Sequence, residues 1–127
     1  MPSEKHLDFI QSAVARMAGN SFQMKSWNVA LAAAAIGFAA GKDSHARAAV
    51  LAVVPALVFW LLDAYYLQQE RAFRELYGEA VAGTAPVFWM KPEPSMAMWL
   101  ISFFRPSVFL IHGAVLAVIL RVTYYAP

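Results

Sequence analysis

The sequence predicts an all-α fold: an integral membrane bundle of three transmembrane helices, with an N-terminal amphipathic helix and a cytoplasmic helical extension of the second span. Three observations predict it. The 127 residues are 61% hydrophobic and 14% charged, where ordinary soluble domains carry about 25% charged residues. Residues 26–41, 48–62 and 106–120 form three uncharged runs. These runs are apolar all round and offer no polar face to water. A soluble bundle is the alternative, but burying three such helices completely takes a larger protein than this one.

The first element is an amphipathic helix over 3–19. Ser3 is a cap residue and Glu4 stands in the first turn. Leu7, Ile10, Val14 and Met17 recur at helical spacing and make one apolar stripe. Gly19–Asn20 is read as its stop. The stripe needs either a membrane surface or a partner helix. Span 1 follows over 21–41, a short polar loop carries Lys42 and His45, and span 2 occupies 47–68 with Pro55 as a candidate kink. Each uncharged run is only about fifteen residues, against the roughly twenty that a crossing takes. Apolar and aromatic flanks (Phe22, Trp27, Tyr65, Tyr66, Tyr124, Tyr125) extend the runs, and terminal Lys and Arg can snorkel.

Residues 69–82 continue span 2 as a charged stalk. Glu70 stands four residues before Arg74, and Arg71 four before Glu75, pairs that support solvated helix. The proline-rich stretch 85–94 ends it. Residues 95–104 form a short interfacial segment, Arg105–Pro106 turns the chain, and span 3 covers 106–124.

Charge sets the expected topology. With a cytoplasmic N-terminus, Lys5, Arg16, Lys25, Arg71, Arg74, Lys91 and Arg105 lie inside, and only Lys42, Arg47 and Arg121 outside. The positive-inside rule then places the C-terminus externally, in a bacterial inner membrane, with Trp89 and Trp99 at the inner interface. The first twenty-five residues hold both charge signs and no apolar core, so no cleavable signal peptide is expected.

Several function classes fall away. There is no cysteine, hence no disulfide, thiolate metal site or cysteine nucleophile. A net charge of +2 gives no footprint for nucleic acid. No nucleophile–base arrangement, phosphate loop or carboxylate dyad is present, so neither an enzyme nor a cofactor is expected.

One polar layer remains. Asp63 interrupts the run FWLLDAYYL, about five residues from the inner end of span 2. His112 stands about six residues into span 3, and Asn28 is at a similar level in span 1. Intramembrane acids are expensive and invite a functional reading. Here that reading is a proton or ion path, or a pH-sensitive gate built on a histidine–carboxylate pair. The plain alternatives are an interfacial acid paired with Lys25 or Arg105, and a hydrogen-bonded clamp between helices. Ala33, Gly37 and Gly41 follow small-xxx-small spacing, which serves close packing within the chain or self-association. In the polar part, Ile10 and Val14 are expected against Phe73 and Tyr77.

The segments LDFIQSAVARMAGNSFQMKSW and FWLLDAYYLQQERAFRELYGEA resemble blocks of small bacterial multi-pass proteins and are similar to the SLATT and S-4TM membrane effectors. The resemblance covers roughly the first eighty residues and carries no diagnostic motif. It implies a pore-forming or membrane-perturbing role, although this chain has three expected spans and no sensor domain. The expectation is a membrane effector or regulatory subunit, bound in lipid and assembled as a homo-oligomer, whose cytoplasmic helices receive a signal or a protein partner. An inner-membrane anchor for a partner, or a minimal proton or ion transporter, are the alternatives.

Overall fold

The computed structural model describes residues 3–41, 46–86, 90 and 96–125. They are all-α: α1 (Glu4–Ala40), a 3-10 helix (Ala46–Ala52), α2 (Val53–Ala82), α3 (Met96–Phe103) and α4 (Pro106–Tyr125). Lys42, His45, Trp89, Lys91 and most of the proline-rich stretch lie outside the described residues.

α1 corrects the expected break at Gly19–Asn20. It is one helix of 37 residues, about 55 Å long at 1.5 Å per residue. Ser3 caps it: the His6 amide donates to Ser3 Oγ at 3.4 Å. A glycine inside a helix costs about 1 kcal/mol relative to alanine, and burial along the whole rod outweighs that. Val14, Ser21, Asn28 and Ala35, all buried, stand seven residues apart. A seven-residue repeat keeps one face of a helix against a neighbouring helix. Interrupting α1 at residue 19 would break that phase.

The neighbour is α2, which runs antiparallel to α1. Ile10, Ala13 and Val14 pack with Phe73, Leu76 and Ala80, and Leu7, Met17 and Tyr77 lie partly buried on the same cluster. The apolar stripe of the first turns is thus covered by the second half of α2. Its solvent side carries the Glu70–Arg74 pair, 2.8 Å apart. An exposed i,i+4 pair of this kind contributes about 0.3–0.5 kcal/mol.

Beyond residue 20 a third helix joins. α4 lies alongside α1 and α2, and Val115 and Ile119 close a second cluster with Ala32, Ala35 and Ala56. The molecule is therefore a two-helix hairpin at one end and a three-helix bundle at the other. The small alanines let the three backbones approach.

Pro55 stands just after a change of helix type. The stretch expected to open span 2 as α-helix is a 3-10 helix, and α2 begins at Val53, which puts Pro55 in its first turn. A proline lacks the N–H that would bond back to the preceding turn, and the change from 3-10 to α-helix falls there. At the other end Gly83 adopts φ 77, the left-handed conformation, and the Thr84 amide returns to the Glu79 carbonyl at 2.9 Å. This capping turn stops α2 before the prolines do. Gly83→Ala should cost about 1 kcal/mol, seen as faster hydrogen exchange confined to the last turn of α2. Unchanged exchange there would mean that packing by Ala80 holds the end without the cap.

Residues 95–104 contain the short helix α3. It is pinned to α2 by Trp60, whose indole stacks on Phe103 at 4.2 Å between centroids and donates to the Phe103 carbonyl at 2.9 Å. Trp99 donates to the Leu61 carbonyl at 3.3 Å. Ser102 is buried beneath this contact.

Candidate functional site: a buried polar cluster between three helices

Where the hairpin meets the bundle, each long helix turns polar side chains inward. On α1, Ser21, Lys25 and Asn28 follow each other at four and three residues, so they share the face that packs on α2. On α2, Ala56, Trp60, Asp63 and Ala64 do the same. α4 contributes His112, between buried Val108 and Val115.

Asp63 is the hub, with 0% of its surface exposed. Its Oδ2 lies 2.8 Å from Lys25 Nζ and 2.7 Å from His112 Nε2. Its Oδ1 accepts from the Ser21 hydroxyl and from Lys25 Nζ, the latter at 3.0 Å. Lys25 also donates to Ser21 Oγ at 2.8 Å. The carboxylate is therefore fully engaged, as a buried charge must be.

The far side of the imidazole meets α1. His112 Nδ1 stands 2.6 Å from Asn28 Nδ2. The ring thus bridges Asn28 on α1 and Asp63 on α2 through its two nitrogens. Asn28 Nδ2 also donates to the Ala56 carbonyl at 3.4 Å, while Asn28 Oδ1 is buried without a partner. Trp60 covers the imidazole, with ring centroids 6.2 Å apart and planes 14° from parallel.

The structure thus draws Asn28, Asp63 and His112 from three helices into one hydrogen-bonded chain. Of the two bases expected near Asp63, Lys25 reaches it. Asp63 pairs with Lys25 and His112 and makes no ion pair with Arg105, whose backbone carbonyl caps α4, accepting from Val108 and Phe109 at 2.9 and 2.7 Å. Ser21 and Trp60 were not expected. Ser21 was hidden by the supposed helix stop, which assigned it to a start rather than to the face of Asn28.

Ala33, Gly37 and Gly41 are not part of the packing within this chain. All three are exposed, and a methyl group added at Gly37 would meet nothing within 4 Å. Ala32 and Ala35, in phase with Asn28, form the inner contact instead. Ile10, Val14, Phe73 and Tyr77 meet at the opposite end of α1, remote in sequence from the polar cluster.

Chemically the cluster can share one proton between a carboxylate and an imidazole and can hold three helices together. Among the described residues, no three histidine, aspartate or glutamate side chains converge as a metal site would require. Compared with known proteins, the chain matches no family model, no curated protein and no solved structure.

Proposed function

We propose that this chain is a three-span membrane protein of effector or regulatory type, and that the Asp63 cluster is the proton-sensitive clamp that holds its spans in register. Two helical stretches, Ala48–Ala82 and Pro106–Tyr125, are long and apolar enough to cross a membrane, with mean hydropathies of 2.0 and 1.8. The observation that carries the reading is that only 28% of each apolar window is buried inside the fold. The core helix of a soluble protein is mostly buried. Here Val54, Val58 and Leu61 on α2, and Phe109 and Leu110 on α4, face outward, and lipid is the solvent that suits them. α1 is the third crossing, by way of 26–40. This part is less apolar because Ser26 and Asn28 belong to it, but Val29, Ile36 and Phe38 also face outward.

Under this reading the hairpin end, with its charged surface, lies in the cytoplasm and receives a signal or partner protein, and the C-terminus is external. The centre of the three-helix part is filled by Ala32, Ala35, Ala56, Val115 and Ile119. Conduction therefore requires several copies, and the outward Ala33–Gly37–Gly41 face suits close approach between them. A detergent-solution mass should be a small multiple of the 14.0 kDa chain; a monomer would remove the pore from the proposal. Reporters fused at the two ends should fall on opposite sides of the membrane, and finding both on one side would defeat the three-span model.

A second reading, proton transport, draws on one feature: the hydrogen-bonded chain from Lys25, 21% exposed at its side chain, through Asp63 to His112 and Asn28. The two readings separate in the Asp63→Asn variant. A clamp predicts that the helices loosen and the unfolding midpoint falls. A transporter predicts loss of proton flux in proteoliposomes with the fold intact. If the variant is as stable as the parent and carries the same flux, both readings lose their centre.

A further inference from the structure

One buried guanidinium nitrogen has no partner among the described residues. Arg105 stands in the turn between α3 and α4, and its Nε is buried with no hydrogen-bond partner. A guanidinium stays charged at any ordinary pH, so it cannot relieve burial by losing a proton as a lysine can. Asp63 is held by Ser21, Lys25 and His112, and Glu70 by Arg74. Among the described residues none offers Arg105 an anion.

Beside this cation runs an open groove of about 550 Å³, lined by Leu100, Ile101, Phe104, Arg105 and Pro106. Its walls are apolar and exposed: Leu100 56%, Ile101 57% and Phe104 65%. Ser107, in the first turn of α4, is exposed next to Pro106 and offers a hydroxyl. A site with a permanent cation at its head and an uncovered hydrocarbon trough behind it fits an amphiphile of the complementary kind.

We infer that the α3–α4 turn binds an anionic phospholipid, its phosphate on the Arg105 guanidinium and an acyl chain along Leu100, Ile101 and Phe104. The inference rests on the membrane reading, which brings this turn to the headgroup level. Guanidinium and phosphate make charge-assisted, forked hydrogen bonds, and the groove then covers apolar surface that the chain leaves bare. The lipid supplies the missing counter-charge and ties α3 to α4.

Native mass spectrometry of the full chain in detergent, with equal phosphatidylglycerol and phosphatidylcholine, tests this. Retention of a phosphatidylglycerol adduct in preference to phosphatidylcholine is expected. Arg105→Gln should lower its occupancy about tenfold, as expected from losing one charged hydrogen-bonding group. Arg105→Lys should keep most of the preference, and Ile101→Ser should weaken the adduct without abolishing it. The helical circular dichroism of each variant shows that it is folded. Equal retention of the two lipids, or an adduct indifferent to Arg105→Gln, would overturn the inference. So would displacement of the lipid by inorganic phosphate at similar concentration, which would make this a free-anion site. Flotation of the protein with phosphatidylcholine vesicles separates the premise from the inference: flotation without lipid preference keeps the membrane reading and removes the lipid site.

Discussion

Asp63→Ala is expected to destabilise the protein by about 3–5 kcal/mol, the range found when one partner of a buried charged pair is removed. The loss is not that of a single bond. Ser21, Lys25 and His112 all donate to this carboxylate, and three donors would be stranded together. Lys25 is partly exposed and can turn toward solvent or headgroups, so most of the cost falls on His112, which is 1% exposed. Asp63→Asn keeps the shape and one acceptor and should cost less, about 1–3 kcal/mol. The double variant Lys25→Met with Asp63→Leu discriminates further. Replacing a buried ion pair by apolar groups is often close to neutral, so it should be more stable than Asp63→Ala alone. Denaturant titration in mixed micelles, followed by circular dichroism, measures all three. An Asp63→Ala midpoint equal to the parent's would mean that the cluster does not hold the helices.

Trp60→Ala should have a comparable effect, about 3–5 kcal/mol for truncating a buried tryptophan, but in a different place. Trp60 is 7% exposed and joins three elements: its ring lies between Phe103 and His112, with the edge of Phe109 at 5.8 Å, and its N–H holds the Phe103 carbonyl. Without it α3 keeps the Trp99 bond to the Leu61 carbonyl. Hydrogen exchange should therefore rise first over Met96–Phe103 and only then in the bundle. Trp60→Phe keeps a stacking ring and loses the N–H, and should cost about 1 kcal/mol. If α3 exchanges no faster in Trp60→Ala, its attachment comes from elsewhere.

The all-α class was legible because apolar runs of this length leave little else to form. The level of Asp63 and His112 was also legible, since counting residues from each span's end at a constant rise per residue places two groups at equal depth. Facing was harder. Within the alanine run many frames satisfy small-xxx-small spacing, and the one through Ala33 and Gly37 points outward. Asn28 holds the phase: a costly polar group must face inward, and Ala32 and Ala35 then follow at four and seven residues. Ser21 was lost for a related reason. Gly19–Asn20 is a legitimate helix stop by local propensity, but propensity differences of about 1 kcal/mol yield to tertiary contacts. The seven-residue spacing of Val14, Ser21, Asn28 and Ala35 carried the contrary signal. The 3-10 helix ahead of Pro55 was not legible, because composition does not distinguish a 3-10 entry from the start of an α-helix.

The unbroken α1 makes the two ends of the molecule one mechanical part. A jointed chain with a hinge at residue 19 could absorb a torque on its first turns, and nothing would reach the apolar half. A single rod of 37 residues has no such slack. Whatever grips the exposed side of the first turns, around Phe9, and rotates it must also swing Ser21, Lys25 and Asn28 past Asp63 and His112, in the same sense. The polar cluster then works as a detent: its hydrogen bonds hold one angular setting of the shaft, and a twist applied at the hairpin end is resisted there until those bonds let go together.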